Sequence, residues 1–150
     1  MVAGFLLVVV GADYVQRGAS AMQPWLAGAP YALLVANILY INQFPDRAAD
    51  RASGKLHWVA RLPPAVAAWG YGLLLLAGLA LIGDIMLGTL PVAAAAAFVI
   101  WVPAVSAWRQ LQRFAATPGR LAPAIKLTLF AAHVFPLSLA AILLLPGDFL

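Results

Sequence analysis

The chain has 150 residues, of which 65% are hydrophobic and 9% charged, and its mean hydropathy is +0.95. Soluble domains average about 45–50% apolar and about 25% charged residues, and a globule of this length cannot bury so much apolar surface. The composition therefore excludes a soluble domain, a disordered chain and a coiled coil, and it predicts an integral membrane protein. In such a protein the net charge of +4 is typical of oriented insertion, so we expect no nucleic-acid partner.

Five apolar stretches along the chain predict an all-α fold, a polytopic bundle of transmembrane helices. A spanning helix needs about 20 apolar residues, and the first stretch falls well short of that length. We therefore expect one partial N-terminal span and four full spans: Met1–Ala12 (partial), Trp25–Phe44, Ala65–Ile82, Pro91–Trp108 and Ala124–Leu145. The first stretch lacks a basic flank and a signal-peptide cleavage pattern, so we interpret it as the end of a helix that starts upstream. An intact protein with a short first helix is the alternative.

Lysine and arginine are divided unequally among the segments that connect these stretches. The segments Pro45–Pro64 and Arg109–Pro123, together with Lys126, carry eight of the nine basic residues, and Arg17 is the ninth. Because basic loops stay on the cytoplasmic side of a membrane, both segments are predicted to be cytoplasmic. With the spans above, the C-terminus then lies outside a cell (inner) membrane.

The densest polar cluster, residues 42–55, contains two carboxylates spaced four residues apart, Asp46 and Asp50, with Asn42 four residues before Asp46. On one helix these three side chains share a face and lie about 5–6 Å apart at Cβ. Two carboxylates this close repel each other unless a cation lies between them. Mg²⁺ binds few carboxylates and keeps room for water and phosphate oxygens, so the spacing predicts a Mg²⁺ site at this face.

Basic residues form a second stripe beside the carboxylates. Arg47 and Arg51 lie about 100° around the helix from the acidic stripe, and Lys55 follows one turn later. Oxygen ligands beside these cations are typical of a diphosphate site. Two alternatives remain open at this point. The segment could be a solvated turn with local ion pairs, or Pro45 could end the helix and separate Asn42 from the two carboxylates.

The stretch from Ile41 to Leu62 resembles the second aspartate-rich motif of the UbiA superfamily, whose members are intramembrane aromatic prenyltransferases. The residues that carry the resemblance are Ile41-Asn42-Gln43-Phe44-Pro45-Asp46, Asp50, Gly54-Lys55 and Val59-Ala60-Arg61-Leu62. Their form is closest to members that prenylate dihydroxynaphthoate in menaquinone synthesis. In this family the second motif follows the sixth of nine helices on the cytoplasmic side, and the C-terminus is outside. Residues 1–150 therefore resemble the C-terminal part of the family's domain, helices five to nine.

The resemblance implies Mg²⁺-dependent transfer of a polyprenyl group from its diphosphate to an aromatic acceptor, as in quinone biosynthesis. Asp46 and Asp50 match the catalytic, metal-binding acids of the motif, and Asn42 corresponds to an auxiliary metal ligand. Diphosphate binding is expected from the basic residues of the same segment: Arg47, Arg51, Lys55 and Arg61. The expected partners are a polyprenyl diphosphate, an aromatic acceptor and the lipid bilayer.

The sequence departs from the family pattern in two respects. The family's first aspartate-rich motif, NxxxDxxxD, is missing, and Pro63-Pro64 follows Leu62 where a glycine is common. We therefore expect an active enzyme to need the N-terminal helices that carry the first motif, as an upstream or separate segment. The alternative function is a non-catalytic or truncated integral membrane protein whose charged loop serves topology and lipid contact.

Overall fold

The computed structural model describes residues 2–86 and 99–144, and these residues confirm the all-α class. Within those ranges the chain forms six α-helices and no β-strand. The helices are α1 (Val2–Arg17), α2 (Gln23–Ala52), α3 (Trp58–Arg61), α4 (Pro64–Met86), α5 (Trp101–Phe114) and α6 (Ala122–Leu144). A short 3₁₀ turn, Pro118–Arg120, connects α5 to α6.

Two helices of the described ranges are long and apolar enough to cross a membrane, α2 and the Ala122–Ile142 part of α6. α4 contains a further apolar helical segment, Pro64–Ala80, within its 23 residues. Residues 91–98 of the predicted span Pro91–Trp108 lie outside the described residues, as do residues 87–90 before them and the C-terminal residues 145–150. The number of four full spans therefore stays a prediction.

α1, α2 and α5 end well beyond the apolar stretches that predicted them, and α4 continues four residues past Ile82 to Met86. α1 continues to Arg17, where an ion pair between Arg17 Nε and Asp13 Oδ1 (2.6 Å) joins residues one turn apart. α2 continues eight residues past Phe44 to Ala52, and α5 continues past Trp108 to Phe114. The added turns are rich in charged and polar residues, and they remain helical because the backbone keeps its own hydrogen bonds. Hydropathy alone therefore placed these helix ends too early.

α2 is the central helix, and it packs against α1, α3, α4 and α6. Its 30 residues span about 45 Å at 1.5 Å per residue, whereas the hydrocarbon core of a bilayer is about 30 Å thick. The polar C-terminal end, from Pro45 to Ala52, therefore projects beyond the apolar part of the helix. This projecting end carries the predicted site.

Pro45 lies inside α2 and does not end it. A proline within a helix removes one backbone hydrogen bond, here the one to the carbonyl of Ile41, and costs about 3 kcal/mol or more in an isolated helix. Ile41 and Phe44 are nearly inaccessible to solvent and belong to the hydrophobic core, so their packing keeps the helix continuous through the proline. The alternative in which Pro45 breaks the helix is thereby excluded.

Close contact between α2 and α4 depends on a small residue. The Tyr40 hydroxyl donates a hydrogen bond to the carbonyl of Ala67 (2.7 Å), and the tyrosine ring lies against the backbone of Gly70. A Cβ atom at Gly70 would overlap the Tyr40 hydroxyl. The glycine therefore sets how closely the two helices approach.

We expect Gly70→Ala to destabilise the fold, although alanine is the better helix former. Overpacking of a core typically costs about 1–3 kcal/mol, which exceeds the gain of up to about 1 kcal/mol in helix propensity. Gly4→Ala in α1 is the matched control, because a Cβ there meets no atom within 4 Å. Thermal unfolding in detergent should show a lower midpoint for Gly70→Ala and an unchanged or higher one for Gly4→Ala. Equal midpoints for the two variants would contradict the close contact.

Candidate functional site

Asn42, Asp46 and Asp50 lie on one continuous helix and share a face of it. Residues four apart in an α-helix differ by about 40° in direction, so the three side chains form one stripe along the end of α2. Asp46 is exposed, and the Asp50 side chain is 17% exposed. The stripe predicted from the spacing is therefore present, at the end of the helix.

The chain reverses directly after α2 and returns toward Asp50. Gly54 adopts a left-handed conformation (φ 78°), and the amides of Gly54 and Lys55 donate to the carbonyls of Arg51 (3.1 Å) and Asp50 (2.8 Å). This is the Schellman arrangement that ends many helices, and glycine adopts its left-handed position without a Cβ clash. The reversal brings Lys55 and His57 back to the last turn of α2.

Both carboxylate oxygens of Asp50 have basic neighbours. Oδ2 lies 2.9 Å from His57 Nε2, and Oδ1 lies 3.6 Å from Lys55 Nζ. The hydrogen bond with His57 is the largest influence holding the pKa of the Asp50 carboxyl below its usual value, and the positive charge of Lys55 adds to it. Asp50 is therefore ionised at neutral pH and oriented by two neighbours.

His57 connects Asp50 to the short helix α3. The amide of Ala60 donates to His57 Nδ1 (3.2 Å), so the imidazole is the N-cap of α3. Since Nδ1 accepts this hydrogen bond, the proton of the neutral ring lies on Nε2, which donates to Asp50. One imidazole thus caps α3 and fixes the orientation of a candidate metal ligand.

Arg47 and Arg51 bind the other end of α3. Arg47 donates from Nε to the carbonyl of Val59 (2.8 Å) and from Nη2 to that of Leu62 (2.9 Å), and Arg51 Nε donates to the carbonyl of Ala60. A four-residue helix leaves its last carbonyls without backbone partners, so the guanidinium groups satisfy them. Neither arginine forms an ion pair with a carboxylate in the described ranges.

The structure divides the predicted site residues between two flanks of α2. Asn42, Asp46, Asp50 and Lys55 lie together, whereas Arg47 and Arg51 lie beside α3 on a flank about 100° away. Arg61 is exposed at the end of α3. Lys55 thus lies beside Asp50, whereas Arg47 and Arg51 contact the backbone of α3.

The oxygen ligands on the acidic flank fit a hard cation whose remaining ligands are water or phosphate oxygens. In the part of the chain that the structure describes, no three His, Cys, Asp or Glu side chains form a group that could hold a metal. The carboxylate of Asp46 makes no hydrogen bond or ion pair there, so its oxygens are free to bind a cation. Mg²⁺ is commonly held by one or two carboxylates plus water and substrate phosphates, which is what Asp46 and Asp50 provide for.

No protein-family model matches this chain, and neither does a curated protein or a solved structure. The likeness of residues 41–62 to the UbiA motif therefore stays a prediction. The assignment of the site depends on its own geometry.

Sequence reasoning missed the roles of His57 and the two arginines. Their partners are backbone carbonyls, a backbone amide and a carboxylate seven residues away in sequence, and none of these gives a side-chain pattern. One signal was available in Gly54. A glycine just after a helix reverses the chain, so a residue a few positions later can face the last helical turn.

We expect His57→Ala to loosen α3 and His57→Asn to keep it folded. Loss of an N-cap costs typically about 1 kcal/mol, which corresponds to about fivefold faster amide exchange. Asparagine is a good N-cap, but its side chain is shorter and does not reach Asp50. Hydrogen–deuterium exchange of residues 58–62 should be about fivefold faster in His57→Ala and near wild type in His57→Asn. Equal exchange in the two variants would contradict the capping role.

Proposed function

We propose that this protein takes part in Mg²⁺-dependent transfer of a polyprenyl group from its diphosphate to an aromatic acceptor. The observation that carries the proposal is the unbroken α2 helix, which keeps Asn42, Asp46 and Asp50 on one face although Pro45 lies between them. This face lies at the polar end of an apolar helix, where a prenyl diphosphate can keep its charged group in water and its tail among apolar side chains. The proposed site thus offers metal ligands near the diphosphate and apolar side chains for the prenyl tail.

The proposal includes a membrane location, with residues 45–64 and 109–123 on the cytoplasmic side and the C-terminus outside a cell (inner) membrane. Large apolar side chains lie exposed on the helix surfaces, and lipid would cover them: Leu7, Val8, Leu73, Leu76, Val102, Phe130 and Leu137. The end of α2 and the connection between α5 and α6 lie side by side, since residues from both line one cavity. The two basic segments therefore share one end of the bundle, as one-sided insertion requires.

Asp46, Asp50 and Asn42 would hold the cation in this proposal. The bound Mg²⁺ would supply charge neutralisation for the diphosphate leaving group. Asp50 is oriented in advance by His57, and Lys55 adds a positive charge beside it for the diphosphate oxygens. Arg47 and Arg51 contribute by keeping α3 against α2.

An apolar cavity next to α3 suits the polyprenyl tail. It has a volume of about 390 Å³ and is lined by Ala36, Tyr40, Trp58, Leu73 and others. Trp58 is the first residue of α3, whose N-cap His57 contacts Asp50, so the cavity adjoins the polar end of α2. An apolar surface here would bind the tail and exclude water from the reacting carbon.

The first aspartate-rich motif would come from N-terminal helices, as an upstream or separate segment.

The second candidate function is a non-catalytic integral membrane protein whose polar segment serves topology and lipid contact. It is favoured by the internal contacts of Asp50, Arg47 and Arg51, because these contacts already hold residues 53–62 against the end of α2. Proteolysis separates the two functions. Protection of residues 42–61 that needs Mg²⁺ and a prenyl diphosphate analogue together supports the enzyme, and cleavage unchanged by the pair supports the non-catalytic protein.

We expect Asp46→Asn and Asp50→Asn each to lower Mg²⁺-dependent prenyl transfer by at least about 100-fold, because each removes a charged metal ligand. Asp13→Asn is the matched control, since Asp13 pairs with Arg17 at the end of α1. Transfer of a labelled prenyl group should be measured in membranes that contain the full-length protein, at several Mg²⁺ concentrations. Activity retained in either variant at wild-type Mg²⁺ dependence would contradict the proposal.

A further inference from the structure

A cavity of about 520 Å³ lies on the flank of α2 that carries the arginines. It is bounded by the end of α2, the first residue of α4 and the connection between α5 and α6. Arg47 and Arg51 line it together with small or apolar residues, among them Ala48, Pro64 and Ala116. The cavity thus has a basic wall and an apolar remainder.

The two arginines bring uncompensated positive charge to this cavity. They are one helical turn apart, where like charges repel each other. The carboxylates that form ion pairs in the described ranges are Asp13 and Asp50, and their partners are Arg17, Lys55 and His57. No carboxylate in the described ranges therefore neutralises the arginine pair, and an anion can bind there.

Hydrogen-bond donors remain available after the contacts with α3. A guanidinium group has five N–H bonds, of which Arg47 uses two and Arg51 uses one for backbone carbonyls. The α3 contacts also fix both side chains, so little conformational entropy is lost when an anion binds. Pairs of arginines with fixed guanidinium planes are well suited to phosphate oxygens.

The cavity and the acidic stripe lie on different flanks of α2. At about 100° per residue, Arg51, Ala48 and Phe44 point roughly opposite to Asp46. An anion in the cavity would therefore be separated by the helix from a cation on the acidic stripe. The cavity is a second site, and its existence does not depend on the proposed function.

We propose that this cavity binds a phosphate ester, with the phosphoryl oxygens on Arg47 and Arg51 and the ester group on the apolar remainder. The phosphoryl group can come from an anionic lipid headgroup or from a soluble phosphate. Phosphate chemistry fits better than a lone carboxylate, because a tetrahedral group offers oxygens to both guanidinium planes at once.

The test compares two glutamates placed one residue apart. Ala48→Glu puts a carboxylate into the cavity, where it pairs with the arginines and excludes an anion, whereas Ala49→Glu adds the same charge outside the cavity lining. The purified protein in neutral detergent is titrated with inorganic phosphate against chloride at equal ionic strength. In a second arm it is placed in phosphatidylcholine vesicles with or without phosphatidylglycerol, and bound lipid is counted by native mass spectrometry.

We expect saturable binding in at least one arm, at least about tenfold weaker in Ala48→Glu and unchanged in Ala49→Glu. Binding in the lipid arm alone identifies a headgroup as the source, and binding in the phosphate arm identifies a soluble phosphate. Arg51→Gln is a second variant, expected to weaken binding by a similar factor if Ala48→Glu does not fold. No saturable binding in either arm, or equal losses in Ala48→Glu and Ala49→Glu, would overturn the proposal. If the wild-type protein binds phosphate or lipid saturably but shows no Mg²⁺-dependent prenyl transfer, the proposed function is overturned and this second site still stands.

Discussion

The helical repeat of α2 separates the acidic residues at its end from the basic ones. Asp46 and Asp50 follow one flank, and Arg47 and Arg51, each one position later, follow a flank about 100° away. This separation requires the helix to continue through Pro45, and the buried side chains of the core maintain it. A break at Pro45 would place the charges in an irregular loop, where they would neutralise each other locally.

Residues from both flanks form hydrogen bonds with the short helix α3, which follows α2. The arginines satisfy the carbonyls at the end of α3, and Asp50 binds the imidazole that caps its start. The segment and the end of α2 therefore stabilise each other. A cation bound by Asp50 would meet a carboxylate whose orientation His57 has already fixed. The same contacts fix the two guanidinium planes at the edge of the neighbouring cavity. A single local arrangement thus underlies both proposed sites.

The sequence predicted the helical class, the carboxylate stripe and the basic character of two segments, because these depend on composition and on spacing within one helix. It could not decide whether Pro45 ends α2, since that depends on how Ile41 and Phe44 pack against other helices. It placed Arg47 and Arg51 on a second stripe about 100° from the carboxylates and assigned both stripes to one diphosphate site. Their acceptors are the backbone carbonyls of Val59, Ala60 and Leu62. Every residue has a backbone carbonyl, so the residue types in the sequence do not reveal which carbonyls accept these hydrogen bonds.

The separation of the two flanks can be measured directly, because the chain contains no cysteine. Single cysteines at Ala48, in the arginine cavity, and at Ala49, one turn from Asp46, are modified with a water-soluble thiol reagent in the full-length protein. The account predicts that Mg²⁺ with a prenyl diphosphate analogue slows modification at position 49 more than the analogue does without Mg²⁺. Inorganic phosphate without Mg²⁺, or vesicles that contain phosphatidylglycerol, should slow modification at position 48 alone. Equal slowing at both positions by inorganic phosphate or by phosphatidylglycerol would contradict the account, since it would mean that the two flanks form one site.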